Sequence, residues 1–176
     1  MIKKATLSPC RQYRYDLLRV WEPENEQRVV FVMLNPSTAD HEVDDATIRR
    51  CIGFGKRMGM GGLTVVNLFA YRTKSPKVMF TRQFQGTDTV GPDNRSYWAR
   101  HCITASAHVI CGWGAHPKAR DQALSFMNWA EGANVPLYNL GPLNHNGAPK
   151  HPLYLPSDAE IKRLSGVAKL GASRAL

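Results

Sequence analysis

The chain has 176 residues, enough for one hydrophobic core and short for two. Its 43% apolar content excludes a disordered polymer, and 23 Lys and Arg against 14 Asp and Glu give a formal charge of +9. That surplus favours an anionic partner, nucleic acid first, with a merely solubilising surface as the alternative.

No apolar run approaches membrane-spanning length, and no apolar segment of a signal peptide follows Met1-Ile2-Lys3-Lys4. A cytoplasmic protein with no membrane partner, acting as a monomer, is expected. Cys10, Cys51, Cys102 and Cys111 lack paired metal-ligand spacing, so buried thiols are expected, with no metal and no cofactor.

In chain order, residues 5–20 alternate apolar and charged side chains, as a half-solvated edge strand or hairpin does, and 21–26 read as a turn. Val29 to Leu34 is a continuous apolar run that meets Asn35-Pro36-Ser37-Thr38, the pattern of a strand buried on both faces and stopped by proline. A helix is expected from Asp44-Asp45, with Ile48, Cys51, Ile52 and Gly55 on one face and Gly59, Gly61 and Gly62 ending it. Leu63 to Ala70 reads as a second buried strand broken by one polar residue, Asn67. Residues 77–93 read as loop, Asp93 to about Ser106 as a helix, Ala107 to Gly112 as a third strand and Lys118 to Trp129 as a helix. Pro136 to Leu140 is a fourth short strand. A final amphipathic helix is expected from Ser157 to near Gly166, before a basic tail over 166–176.

Alternating strands and helices predict a single α/β domain over 1–176, with its core at about 27–165 and a mostly parallel central sheet covered by helices on both faces. In such sheets ligands bind at the carboxyl ends of the strands. Asn35, the Asn67–Arg72 stretch, Trp113–His116 and His151 all fall at that edge. For the Asn35 turn, with Pro36 and Ser37, the alternatives are a crevice lip and an Asx-type turn capping the next helix.

Asn67 offers a donor and an acceptor, so it can pair with one edge of a nucleobase, or tie its own strand to a loop. Phe54, Phe69 and Tyr71 are candidates for stacking on a base, or for the core. His151, stiffened between Lys150 and Pro152, can donate to developing negative charge, or serve structure alone. Asp40, Asp44 and Asp45 are the carboxylates available to position or deprotonate a water. Asp45 is the catalytic candidate among them, and Asp44 and Asp45 both also suit a helix cap.

LNPSTAD, DDATIRRC, VVNLFAYR, WGAH and KHPLYL together resemble a family of small bacterial and phage proteins of unassigned function, over about Val29 to Leu155. More distantly, MLNPS (33–37), VVNL (65–68), ICGWG (110–114) and HPLYL (151–155) resemble, in the same order, the motifs of the uracil-DNA glycosylase superfamily.

That resemblance implies a monofunctional DNA glycosylase with no cofactor, acting in DNA repair on duplex or single-stranded DNA with an extruded base. It implies that Asn35 orients the attacking water, Asn67 reads the flipped pyrimidine and His151 stabilises the departing base. Arg49, Arg50, Arg72 and Lys150 would hold phosphates, with Tyr154 beside the DNA. Met33 and Leu34 depart from the first motif and Leu153 and Tyr154 from the last. A pocket remodelled for a modified or mismatched pyrimidine, such as 5-hydroxymethyluracil, would accommodate these departures. The alternatives are a non-catalytic binder of modified nucleic acid and a hydrolase of free nucleosides or nucleotides.

Overall fold

The computed structural model describes residues 1–105 and 108–165. In chain order it contains β1 (Ile2–Leu7), β2 (Arg14–Val20), β3 (Arg28–Met33), α1 (Ala46–Arg57), β4 (Gly62–Asn67), α2 (Pro76–Phe84), α3 (Asn94–Ile103), β5 (Val109–Cys111), α4 (Arg120–Gly132), β6 (Leu137–Leu140) and β7 (Ile161–Arg163). The two apolar runs become β3 and β4, buried along nearly their whole length and paired in parallel, with Met33 opposite Asn67.

The seven strands form one sheet in the order β1-β2-β4-β3-β5-β6-β7. β4, β3, β5 and β6 are mutually parallel, whereas β1 and β2 on one flank and β7 on the other pair antiparallel. The expectation of a mostly parallel sheet therefore holds for the four central strands, and the whole sheet is mixed. The chain leaves β3 to form β4 on one side and later places β5 on the other. This change of direction opens a crevice at the carboxyl ends of β3 and β5.

Two apolar layers sandwich the sheet. α1 covers one face with Ile48, Cys51, Ile52 and Phe54 against Val29, Phe31, Leu63 and Val65. α2, α3 and α4 cover the other, where Met79, Phe80, Trp98 and Phe126 meet Val32, Val66 and Leu68. Helices on both faces are thus present. Cys51, Cys102 and Cys111 are buried thiols as expected, while Cys10 is exposed.

Two further expectations fail. The stretch read as loop contains α2, which Ser75 caps by accepting from the Val78 N–H, with Pro76 suited to the first turn. The helix expected after Ser157 is not formed in the described residues; the chain runs instead as β7, pairing Ile161 with Leu140 and Arg163 with Tyr138. The open backbone edge of β6 supplies hydrogen bonds that outweigh a short, weak helical pattern. The tail over 166–176 lies outside the described residues.

Two buried arginines of β2 fix the long loop after β3. Arg19 is fully buried, donates from Nε to Asp44 at 2.6 Å and reaches the carbonyl of Asp40. Arg14 Nη1 donates to the Ala39 carbonyl at 2.6 Å. Because β2 runs antiparallel to β4, its first residue lies at the edge where the parallel strands end. The Arg14 N–H donates to the Ala70 carbonyl there.

Candidate functional site

A cavity of about 360 Å³ opens at this edge, between the ends of β3, β4 and β5. Its walls include Asn35 and Ser37 after β3, Asn67 at the end of β4, Asp45 at the start of α1, and Trp113 to His116 after β5. His151, Leu153 and Tyr154 close one side and Arg14, Thr73 and Lys74 another. Met33, Leu34, Ile48 and Val65 add apolar wall. This is a small-molecule-sized cleft with a few converging polar groups.

Asn67 is its most anomalous residue. The side chain is 1% exposed, and among the described residues neither its Nδ2 nor its Oδ1 has a hydrogen-bond partner. Its backbone carbonyl is satisfied twice, by Asn94 Nδ2 at 3.0 Å and Trp98 Nε1 at 2.7 Å. The amide thus does not tie its strand to a loop; the neighbours hold the backbone and leave the amide for the cavity. An unpaired buried amide costs on the order of 1–3 kcal/mol.

Asn35 is held differently. Its Nδ2 donates to the Thr73 carbonyl at 2.8 Å and the Pro36 carbonyl at 3.1 Å, while Pro36 itself is buried behind the wall. With its donors engaged, the amide orientation is fixed and Oδ1 remains as an acceptor. Asn35 does not cap α1; that is done by Asp45, whose Oδ1 accepts from the Ile48 N–H at 2.9 Å. Among the described residues the side-chain bond recorded for Asp45 uses Oδ1, which leaves Oδ2 outside the cap. Asp44 is committed to Arg19 and Lys3, and Asp40 Oδ1 accepts from the N–H groups of Glu42 and Val43, so neither lines the cavity.

The dipeptide His-Pro occurs twice, and both histidines face the cavity. His151 Nδ1 accepts from the Leu153 N–H at 3.2 Å and His116 Nδ1 from the Lys118 N–H at 3.3 Å, each at the start of a single 3-10 turn. A backbone N–H only donates, so each neutral ring carries its proton on Nε2. Burial pushes the pKa of both below the usual histidine value; Asp45 opposes the shift at His151, and Lys118 adds to it at His116. Two neutral N–H donors result at neutral pH.

The shifts carry a stability consequence. Between the unfolded pKa of 6.5 and the lower folded values, the unfolded chain takes up protons that the folded chain refuses. Stability is expected to fall as pH drops through that window. Thermal melts from about pH 7.5 to about pH 5 should show a downward slope that flattens when His116→Asn and His151→Asn are combined.

The His151 loop is braced from α1 and from β5. Arg50 reaches the carbonyls of Pro152 and Leu155 while its guanidinium lies over Phe54, 5.1 Å from the ring centroid. At the end of β5, Gly112 admits the loop: a Cβ there would come 2.8 Å from Pro152 Cδ and 3.1 Å from Met33 Sδ. Gly112→Ala is expected to displace His151 and to cost ~1–3 kcal/mol, checked by denaturant melts alongside ligand binding.

Of the residues singled out by sequence, the cavity gathers Asn35, Ser37, Asp45, Asn67, His151 and Tyr154. Tyr154 is 81% exposed beside His151, and Leu153 is 39% exposed. Phe54 and Phe69 are core residues, the latter packed edge-on against Phe80, and Tyr71 packs against Tyr13 outside the cavity. Arg49 is exposed and bonded to the Asp44 carbonyl, and Arg50 is a brace. Arg72 Nη1 bonds the Arg11 carbonyl at 3.4 Å, and Lys150 is half-buried beside His151; neither lines the cavity.

Sequence reasoning missed Arg14 and Lys74 and gave His116 no role, although the repeated His-Pro pair was a usable signal for the last. Among the described residues no group of His, Cys, Asp or Glu is arranged to hold a metal ion, and no helix is long and apolar enough to cross a membrane.

No curated protein and no solved structure matches the chain. A family described as a protein of unknown function (DUF1643) matches residues 14–153, a span that begins at the cavity residue Arg14 and ends at Leu153, and the chain belongs to that family.

Proposed function

We propose that the protein is a DNA glycosylase that hydrolyses the N-glycosidic bond of an extruded, modified or mismatched pyrimidine. The observation that carries this reading is the buried, unpartnered amide of Asn67, set in one cleft with Asn35, Asp45 and His151. An amide offering one donor and one acceptor matches the alternating edge of a pyrimidine, and binding the base satisfies both atoms at once.

Asn35 Oδ1 accepts a hydrogen bond from a water aligned on the sugar carbon, and being neutral it orients the water without taking its proton. Oδ2 of Asp45 receives that proton as the water bonds to the sugar. The electron pair of the broken bond leaves on the base, where Nε2–H of His151 donates to the developing anion. Leu153 and Tyr154, exposed at the mouth, suit the gap that an extruded base leaves in the stack, and Lys74 faces the phosphates. In this reading the fold is that of the uracil-DNA glycosylase superfamily, and the motif order quoted above supports it.

The test is a panel of duplexes carrying uracil, 5-hydroxymethyluracil or mismatched thymine, incubated with protein and then with alkali. Strand cleavage at the lesion supports excision. Salt-sensitive binding without cleavage favours a non-catalytic reader, and turnover of free nucleosides with no duplex affinity favours a monomer hydrolase.

A further inference from the structure

The two buried arginines of β2 differ in one respect. Arg19 is fully buried and has a carboxylate partner, Asp44, at 2.6 Å. Arg14 is 2% exposed, lines the cavity, and has no carboxylate within ion-pair distance among the described residues. Among the described residues its guanidinium makes one hydrogen bond, to the Ala39 carbonyl, and its Nε has no partner.

Burial lowers its pKa to about 10, with Asp45 opposing and Arg72 and Arg19 adding to the fall. The guanidinium thus stays charged at neutral pH, with Arg72 and Arg19 repelling it and Asp45 and Asp16 attracting it from beyond ion-pair distance. A buried cation with no carboxylate in direct contact is incompletely compensated, and the cavity is where an oxyanion can reach it. The sequence alternation that suggested a half-solvated strand gives no reason to keep a charge here.

We infer that Arg14 is a specificity-determining residue that binds an oxyanion carried by the ligand, so that the preferred substrate is an acidic pyrimidine nucleotide unit rather than a neutral base. The inference rests on the pyrimidine reading of the pocket. It extends that reading by assigning the guanidinium fork to a carboxylate or phosphate oxygen pair, which it matches in geometry. The oxyanion has two sources: a carboxyl group on the pyrimidine ring or the phosphate of the nucleotide.

Binding of monomers separates these sources and needs no excision. Wild-type protein is titrated with uridine, 5-carboxyuridine and uridine 5′-monophosphate, followed by calorimetry and thermal shift. The expected result is a preference of about tenfold or more for at least one acidic ligand over uridine. The preferred ligand identifies ring carboxylate or phosphate as the source. Arg14→Gln should bring the acidic ligands down to the affinity of uridine, and Arg14→Lys should keep part of the preference because the charge remains.

A merely structural role for Arg14 would change stability and leave the ratio of affinities untouched. Equal binding of all three ligands overturns the inference, as does binding of none or a preference that survives Arg14→Gln. If acid preference is found while every duplex in the excision panel survives, the glycosylase reading falls and the Arg14 site stands.

Discussion

Asn67→Leu is expected to stabilise the fold and to cut function about a hundredfold. The native amide is buried with both polar atoms unpartnered, so the folded state carries a desolvation cost with no return until ligand binds. Leucine keeps the branched shape and removes the polar atoms, and Val65 and Ile48 lie in the same wall. A gain of ~1–3 kcal/mol in denaturant melts is expected. Loss of two hydrogen bonds to the base, each worth ~1.5 kcal/mol, corresponds to about a hundredfold loss of ligand affinity or excision. A variant that loses stability would mean that the amide is structural. The trade of stability for activity is typical of residues kept for binding.

Asn35→Ala is expected to cut turnover by about a hundredfold or more, since a small misplacement of the attacking water has that effect, while the fold loses only ~1–2 kcal/mol from two hydrogen bonds. The geometry adds a discriminating variant. Nδ2 donates to the carbonyls of Thr73 and Pro36, so Asn35→Asp turns a donor into an acceptor facing two acceptors. Aspartate should therefore fail to replace asparagine, although a carboxylate is the stronger base. Steady-state excision rates for the three proteins, with circular dichroism to confirm folding, check this. Activity retained in Asn35→Asp would show that the amide donors are dispensable.

Much of this site is legible in the sequence because its strands are. Val29–Leu34 and Leu63–Ala70 are long apolar runs, and in such runs a polar residue such as Asn67, or the residue that meets a proline, stands out. The same logic misplaces Phe54 and Phe69. Aromatic rings near a strand edge are equally suited to the core, and only the helix packing, with α1 over one face and Phe80 against Phe69, decides. Arg50 looks like a phosphate ligand because the pattern shows its charge and hides the carbonyls of Pro152 and Leu155 that it holds. Arg14 is invisible for a topological reason. Nothing local says that an edge hairpin runs antiparallel beside β4 and delivers its first residue to the cleft. β7 is missed for a related reason, since the edge of β6 that it pairs with exists only once the sheet is assembled.

Base excision by this cleft, as proposed, requires that catalysis be separable from binding. The most direct measurement is alkali-revealed cleavage of duplexes bearing uracil, 5-hydroxymethyluracil or mismatched thymine, run in parallel with wild type and Asn35→Ala. The expected result is lesion-dependent cleavage by wild type, and a variant that binds the same duplex but cleaves it at least about a hundred times more slowly. Intact duplexes across the wild-type panel, or equal cleavage by the variant, would contradict it.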